Sequence, residues 1–222
     1  MNRICSIGKR ILPVVLVLLM AMSGETSAIS ISSTFDTDDE GWTVTAGATS
    51  HQLSGGNPGG YLLFTDTAGG NYSGFAPAKF LGDLSAFDGG VISFDAKAIL
   101  VQNPTFGQEF GVIEIYSGTD FVRRDLAPDP PPWPNPVWTT YSRPMTASAW
   151  GESQTDWLAL LGNVTKIRVV LEAYNDIDKT GFDNFEISGA DPIPEPSTML
   201  LLGTGLVGLF GYGWRRRKQM KN

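Results

Sequence analysis

The chain has 222 residues, 42% apolar, 18% charged and 11% aromatic, with a formal net charge of −7. That length suits one domain or at most two, and the composition is neither collagen-like nor that of a disordered chain. Residues 29–191 hold 21 Asp and Glu against 8 Lys and Arg, near −13, which argues against nucleic acid as a partner, since phosphate binding needs a basic face. The lone cysteine, Cys5, lies in a segment expected to be removed, and His51 is the lone histidine. Disulfides, cysteine zinc sites, cysteine nucleophiles and multi-histidine metal sites are excluded together.

In chain order, Arg3, Lys9 and Arg10 precede an apolar run at 11–22, and small residues follow to Thr26-Ser27-Ala28. This is the order of a secretory signal peptide, expected at 1–28 with cleavage after Ala28. About 12 apolar residues rise only ~18 Å as a helix, short of a ~30 Å hydrocarbon core, so the run reads as a leader and not as an anchor.

Residues 29–190 show no long helical periodicity, only short apolar or alternating segments set apart by Gly, Pro, Asn and Asp. The pattern predicts an all-β fold, a single jelly-roll-like β-sandwich. Strands are expected at 30–35, 42–46, 61–65, 91–99, 111–117, 138–144, 166–173 and 182–188. In the fifth, Phe110, Val112, Glu114 and Tyr116 share one face and Ile113 and Ile115 the other, which sets Glu114 among apolar neighbours on a face that can be solvent-facing. In the seventh, Ile167, Val169, Leu171 and Ala173 form an inward row, with Arg168 and Glu172 outward. The brief apolar stretch 157–162 reads as a short helix or turn. The prolines of 127–136 each remove a ladder donor, so this segment reads as a surface loop.

Several constellations bear on chemistry. Asp36-Thr37-Asp38 and Asp176-Ile177-Asp178 each open like an EF-hand loop but lack the bidentate Glu at the twelfth position. If the first and last strands lie side by side, Asp36, Asp38, Asp178 and Asp183 converge on one hard cation, and a structural Ca²⁺ is the expected cofactor. The competing reading is turn chemistry, because Asp bonds its own backbone at strand ends. Gly55-Gly-Asn-Pro-Gly-Gly60 lacks the Lys-Ser/Thr of a phosphate loop and reads as a tight turn. His51 reads as an exposed loop residue. Glu109, Glu114 and Glu172 are the carboxylates a glycosidase would draw on, yet no paired pattern joins them, and no catalytic residue is assigned. Tyr72, Trp133 and Trp150, placed in loops, are the candidate platforms for stacking a sugar ring. Trp42, Trp138 and Trp157 lie in or beside apolar segments and are assigned to the core.

Beyond residue 190, Asp191-Pro-Ile-Pro194-Glu195-Pro196-Ser197 forms an extended linker at 191–197. A helix at 198–214 is long enough to span a bilayer, and Arg215, Arg216, Arg217 and Lys218 open a basic cytoplasmic tail at 215–222. Pro194-Glu195-Pro196, the apolar run and Arg215-Arg216-Arg217 together resemble the PEP-CTERM sorting signal. The resemblance implies an exosortase as partner, passage through the inner membrane with transient anchoring there, and delivery to the cell surface or extracellular matrix of a Gram-negative bacterium. A plain membrane anchor is the simpler alternative.

Within the middle region, Phe35-Asp-Thr-Asp-Asp-Glu-Gly-Trp42, Gly55-Gly-Asn-Pro-Gly-Gly-Tyr-Leu62, Ala76-Pro-Ala-Lys-Phe-Leu-Gly-Asp83 with Val91-Ile-Ser-Phe-Asp95, and Thr180-Gly-Phe-Asp-Asn-Phe-Glu-Ile187 resemble a laminin B (domain IV) module. The proline-rich insert departs from that pattern. The resemblance implies a β-sandwich related in shape to galactose-binding and carbohydrate-binding domains, with an adhesive or structural role and no enzyme activity. The expected function is therefore a non-enzymatic surface or matrix protein associated with exopolysaccharide or biofilm, possessing or lacking a glycan site. A carbohydrate-active enzyme is the remaining alternative.

Overall fold

The computed structural model describes residues 29–67, 72–101, 109–127, 136–173 and 178–190. Among them, the alternating segments form two antiparallel sheets whose inner faces share one apolar core. One sheet holds β1 (Ser30–Ser33), β3 (Gly47–Gln52), β4 (Tyr61–Asp66), β6 (Val91–Val101), β9 (Thr139–Pro144) and β11 (Asp178–Ser188), in the order β3-β4-β11-β6-β9 with β1 also on β11. The other holds β2 (Thr43–Thr45), β5 (Ser73–Phe75), β7 (Val112–Ser117), β8 (Asp120–Asp125) and β10 (Lys166–Val170), in the order β2-β5-β10-β7-β8. Neighbours in each sheet are often far apart in the chain, as in a jelly roll.

All eight expected strands are present, with ends shifted by a few residues. Three more were not anticipated: β3 is a polar edge strand, β5 has three residues, and β8 carries four charges in six positions. None shows the apolar alternation on which the expectation rests, because edge or outward positions leave little to bury. Two short helices follow β9: α1 (Ala147–Trp150), capped by Thr146, and α2 (Gln154–Leu161), capped by Ser153. The second extends the short helix expected at 157–162.

Trp42 anchors the core, with ring centroids 5.0 Å from Phe182 and 4.9 Å from Phe185. Its indole donates to Ser33 Oγ at 3.0 Å, satisfying the one polar atom of a buried ring. The helices bring a second pair inward: Trp150 and Trp157 are both fully buried and stack 5.5 Å apart. Their indoles donate to the Pro144 carbonyl and to Asp88 Oδ1. Each such ring contributes ~2–3 kcal/mol through the area it removes from water.

Among the described residues no helix is long and apolar enough to cross a membrane. The expected leader at 1–28, Trp133, the linker with Pro194, Glu195 and Pro196, the helix at 198–214 and Arg215, Arg216 and Arg217 lie outside the described residues.

Candidate ligand-binding faces

The four aspartates expected to share a cation are not brought together. Asp178 and Asp183 are five residues apart on β11, an odd separation that turns their side chains to opposite faces, roughly 16 Å apart along the strand. Asp178 points inward, accepting the Tyr72 hydroxyl at 2.7 Å. Asp38 is exposed and accepts the Glu40 amide at 2.8 Å, an ordinary Asx turn.

Asp36 and Asp183 do lie near one another, and they are joined by Asp95, which the sequence did not single out. A bulge between Asp183 and Glu186, with Asn184 at φ 47°, re-aims this part of β11. The loop 55–60 then folds across the outer face. Asp183 accepts the amides of Asn57 at 2.6 Å and of Asn184 at 2.7 Å. Asp95 accepts Thr140 Oγ1 at 2.6 Å, Asn57 Nδ2 at 3.0 Å and Asn184 Nδ2 at 2.8 Å. Asp36 accepts Thr34 Oγ1 at 3.0 Å and the Gly60 amide at 3.4 Å. Every carboxylate oxygen in the trio thus meets a protein donor. The glycines are required here: a Cβ on Gly59 would stand 2.1 Å from Asp36 Oδ1.

Amide and hydroxyl donors satisfy the trio's oxygens without a cation, and among the described residues no three acidic or histidine side chains are grouped to hold a metal. Burial, opposed by the two amide bonds and reinforced by Asp95 and Asp36, raises Asp183 to about 6.

Two of the expected sugar platforms are core residues. Tyr72 is fully buried against Phe64, its hydroxyl held between Asp178 and Thr180 Oγ1, so its ring meets no solvent. Trp150 is fully buried, because it closes α1 and stacks on Trp157 of α2 instead of standing in an open loop. Trp138, assigned from the sequence to the core, is instead half-buried on the outer face of the six-stranded sheet. It lies over Gly181, where a Cβ would stand 2.8 Å from its ring, and meets Tyr61 edge-on at 5.5 Å. His51 is also not a loop residue: it sits in β3, and its Nε2 donates to the Phe35 carbonyl at 2.7 Å.

Glu172, expected on an outward face, is buried just past the end of β10. Its carboxylate receives the Tyr72 amide at 3.5 Å. Burial, then the charges of Asp178 and Asp66, push it up to about 7.

The outer face of the five-stranded sheet is arranged differently. Strand pairing aligns Phe75, Arg168, Glu114 and Arg123 in one row across β5, β10, β7 and β8. The next row aligns Lys166, Tyr116 and Phe121. Glu114 is on this outer face as expected, yet only 4% exposed. It accepts the Tyr116 hydroxyl at 2.7 Å and Arg168 Nη1 at 3.2 Å, and Arg123 Nε lies 3.9 Å away. Arg168 Nε donates to Ser73 Oγ at 2.9 Å, and Arg123 Nη2 to Glu109 at 2.7 Å. Burial, then the neighbouring Glu114, raise the Tyr116 pKa and keep its hydroxyl a donor. Tyr116 stacks on Phe121 at 5.0 Å, Lys166 Nζ lies 3.5 Å from the Tyr116 centroid, and Phe121 is 52% exposed. Fixed donors and acceptors beside an open aromatic edge match the chemistry of a pyranose, apolar on its C–H face and hydroxylated at its rim.

The period-two patterns Glu114/Tyr116, Phe121/Arg123 and Lys166/Arg168 are visible in the sequence. Their convergence depends on β10 pairing with β7, about 50 positions away, which no local pattern reveals.

The C-terminal region is settled by direct comparison with known families. The chain carries a PEP-CTERM protein-sorting motif at residues 192–218. This motif implies exosortase-dependent export, with transient membrane anchoring before processing. No curated protein matches the chain. Among solved structures, the L4b domain of human laminin alpha-2 is similar over 74% of this chain and 99% of its own, with a TM-score of 0.53 at 12% identity. A family 11 carbohydrate-binding module of a Clostridium thermocellum cellulosomal cellulase covers 76% of this chain and 91% of its own, with a TM-score of 0.40 at 18% identity. The CBM22-1 xylan-binding domain from Paenibacillus barcinonensis covers 77% and 100%, with a TM-score of 0.46 at 11% identity. At these identities the laminin likeness establishes the sandwich fold alone.

Proposed function

We propose that this exported protein is a non-enzymatic component of the Gram-negative cell surface or extracellular matrix, sorted by an exosortase, and that it binds glycan of the exopolysaccharide or biofilm layer. The binding surface is the outer face of the five-stranded sheet. The supporting observation is Glu114, a carboxylate held almost fully buried on the solvent side of a sheet by Tyr116 and Arg168, next to the exposed ring of Phe121. A face serving only as a solvated exterior has no need to immobilise so many polar groups, since exposed ion pairs add little stability. In this arrangement Arg168 and Arg123, positioned by the buried Glu114, bond sugar hydroxyls while Phe121 stacks on the ring.

Calorimetric titration of the full chain in non-ionic detergent with polysaccharide from the producing cells tests this reading. The expected result is saturable binding that Phe121→Ala weakens about tenfold, the loss of one stacking contact. Absence of binding, or binding indifferent to Phe121→Ala and Glu114→Gln, would favour a ligand-free matrix protein. Release of reducing sugar from the same polysaccharide would favour an enzyme.

A further inference from the structure

We infer that the same face selects an anionic glycan, one bearing uronate carboxylates, and that Lys166 is the side chain that meets the carboxylate. The inference rests on the glycan reading above and adds the substrate class. Residues 29–191 hold only 8 Lys and Arg against 21 Asp and Glu. Three of those cations, Arg123, Lys166 and Arg168, stand together on this one face, on β8 and β10 to either side of β7. A domain so acidic repels a polyanion over most of its surface, so a local reversal of sign decides where one can approach.

The ion pairs identify the available cation. Arg168 and Arg123 both turn toward Glu114, and Arg123 also binds Glu109. Two guanidinium groups thus meet two carboxylates, Glu114 and Glu109, and the four charges balance, which leaves Lys166 as the unmatched cation of the row beside them. Lys166 has no carboxylate within ion-pair distance among the described residues. Its ammonium rests over Tyr116, whose far side stacks on Phe121. A cation held against a ring face is partly stripped of water and positioned, while retaining the capacity to accept an anion. Asp125, two positions beyond Arg123 on β8, shares this face and limits the positive strip at that end. A uronate oligomer fits this strip in both respects: one ring presents its C–H face to Phe121, and the carboxylate of a neighbouring ring along the chain meets the ammonium on the other side of Tyr116.

The decisive experiment compares oligomannuronate with a neutral β-glucan oligomer of equal length, titrated into the full chain in non-ionic detergent at 20 mM and at 300 mM salt. At low salt the uronate should bind about tenfold more tightly than the glucan, and the preference should shrink at high salt as screening grows. Lys166→Ala should remove most of the preference while leaving glucan affinity within about twofold, and Lys166→Arg should restore it. Equal affinity for both oligomers, or a preference that survives Lys166→Ala in a variant of unchanged melting temperature, overturns the inference and leaves the glycan reading standing. Loss of uronate binding in EDTA also overturns it, since a bridging cation would then carry the contact. Failure of both oligomers and of the producer's own polysaccharide to bind overturns both readings.

Discussion

Strand β11 carries two groups of carboxylates that differ in what surrounds them. At one position Asp183, with Asp36 and Asp95, lies under a glycine-rich loop whose amide groups reach one oxygen of each carboxylate. Five residues earlier Asp178, with Asp66 and Glu172, closes one end of the interior, where the Tyr72 hydroxyl and amide are donors. Asp183 is fully buried and Glu172 nearly so, and burial raises both, to about 6 and about 7. What differs is the opposition: two short backbone amide bonds hold Asp183 down, whereas one amide at 3.5 Å opposes the burial of Glu172, so directed donors as well as depth decide how a buried carboxylate keeps its charge.

The first group should be the more sensitive to losing its acid. Asp183→Ala strands the amides of Asn57 and Asn184 beneath the loop and should cost about 3 kcal/mol, lowering the melting temperature by several degrees in a thermal scan. Asp183→Asn, which keeps one acceptor, should cost less. If both variants melt like the parent, the loop bonds contribute nothing and the contrast fails.

Next comes Tyr72→Phe, which removes the hydroxyl from Asp178 while preserving the ring against Phe64. A loss of about 2 kcal/mol in urea unfolding is expected, in the range for a bond to a charged group.

Glu172 sharpens the comparison through pH. Its folded pKa, near 7, is raised above the ordinary value, so the native state holds a proton that the unfolded chain releases. Stability from this group is therefore highest below about pH 4.5 and falls as pH rises toward 7. After allowance for solvent screening, the effect is on the order of 1 kcal/mol. Glu172→Gln should raise the melting temperature at pH 8 by a few degrees and leave it unchanged at pH 4. A gain of equal size at both pH values would show that charge is not the cause.

The smallest expected effect is that of calcium. With the oxygens of Asp36, Asp95 and Asp183 occupied by protein donors, millimolar calcium or EDTA should shift the melting temperature by less than about 1 °C. A larger shift would mean that the loop 55–60 yields its bonds to the ion, since ligand linkage raises stability in proportion to ln(1 + [L]/Kd).

Much of this was legible before the fold was known. The alternation in 166–170 identified β10 and its inward row, and the alternation in 112–117 placed Glu114 on an outer face. The tryptophans were the main failure: Trp138, beside an apolar strand, is half-buried on the exterior, whereas Trp150, beside Gly151 and Glu152, is core. Local sequence context cannot separate them, because Trp138 finds space over Gly181 on a strand some 40 positions away and Trp150 is covered by Trp157. The expected aspartate quartet failed for a simpler reason, the odd spacing of Asp178 and Asp183, which strand periodicity alone rules out once both are placed on one strand.

By itself the sequence determined the β class, the inward and outward rows of the central strands, and the sorting tail at 192–218, because each is written in local periodicity or in contiguous motif residues. Tertiary structure alone decided which outward rows became neighbours, and so brought Lys166, Arg168, Glu114, Tyr116, Phe121 and Arg123 onto one face. Strand order within a sheet is set by the packing of distant segments over a shared core, and one strand's alternation carries no record of its neighbour.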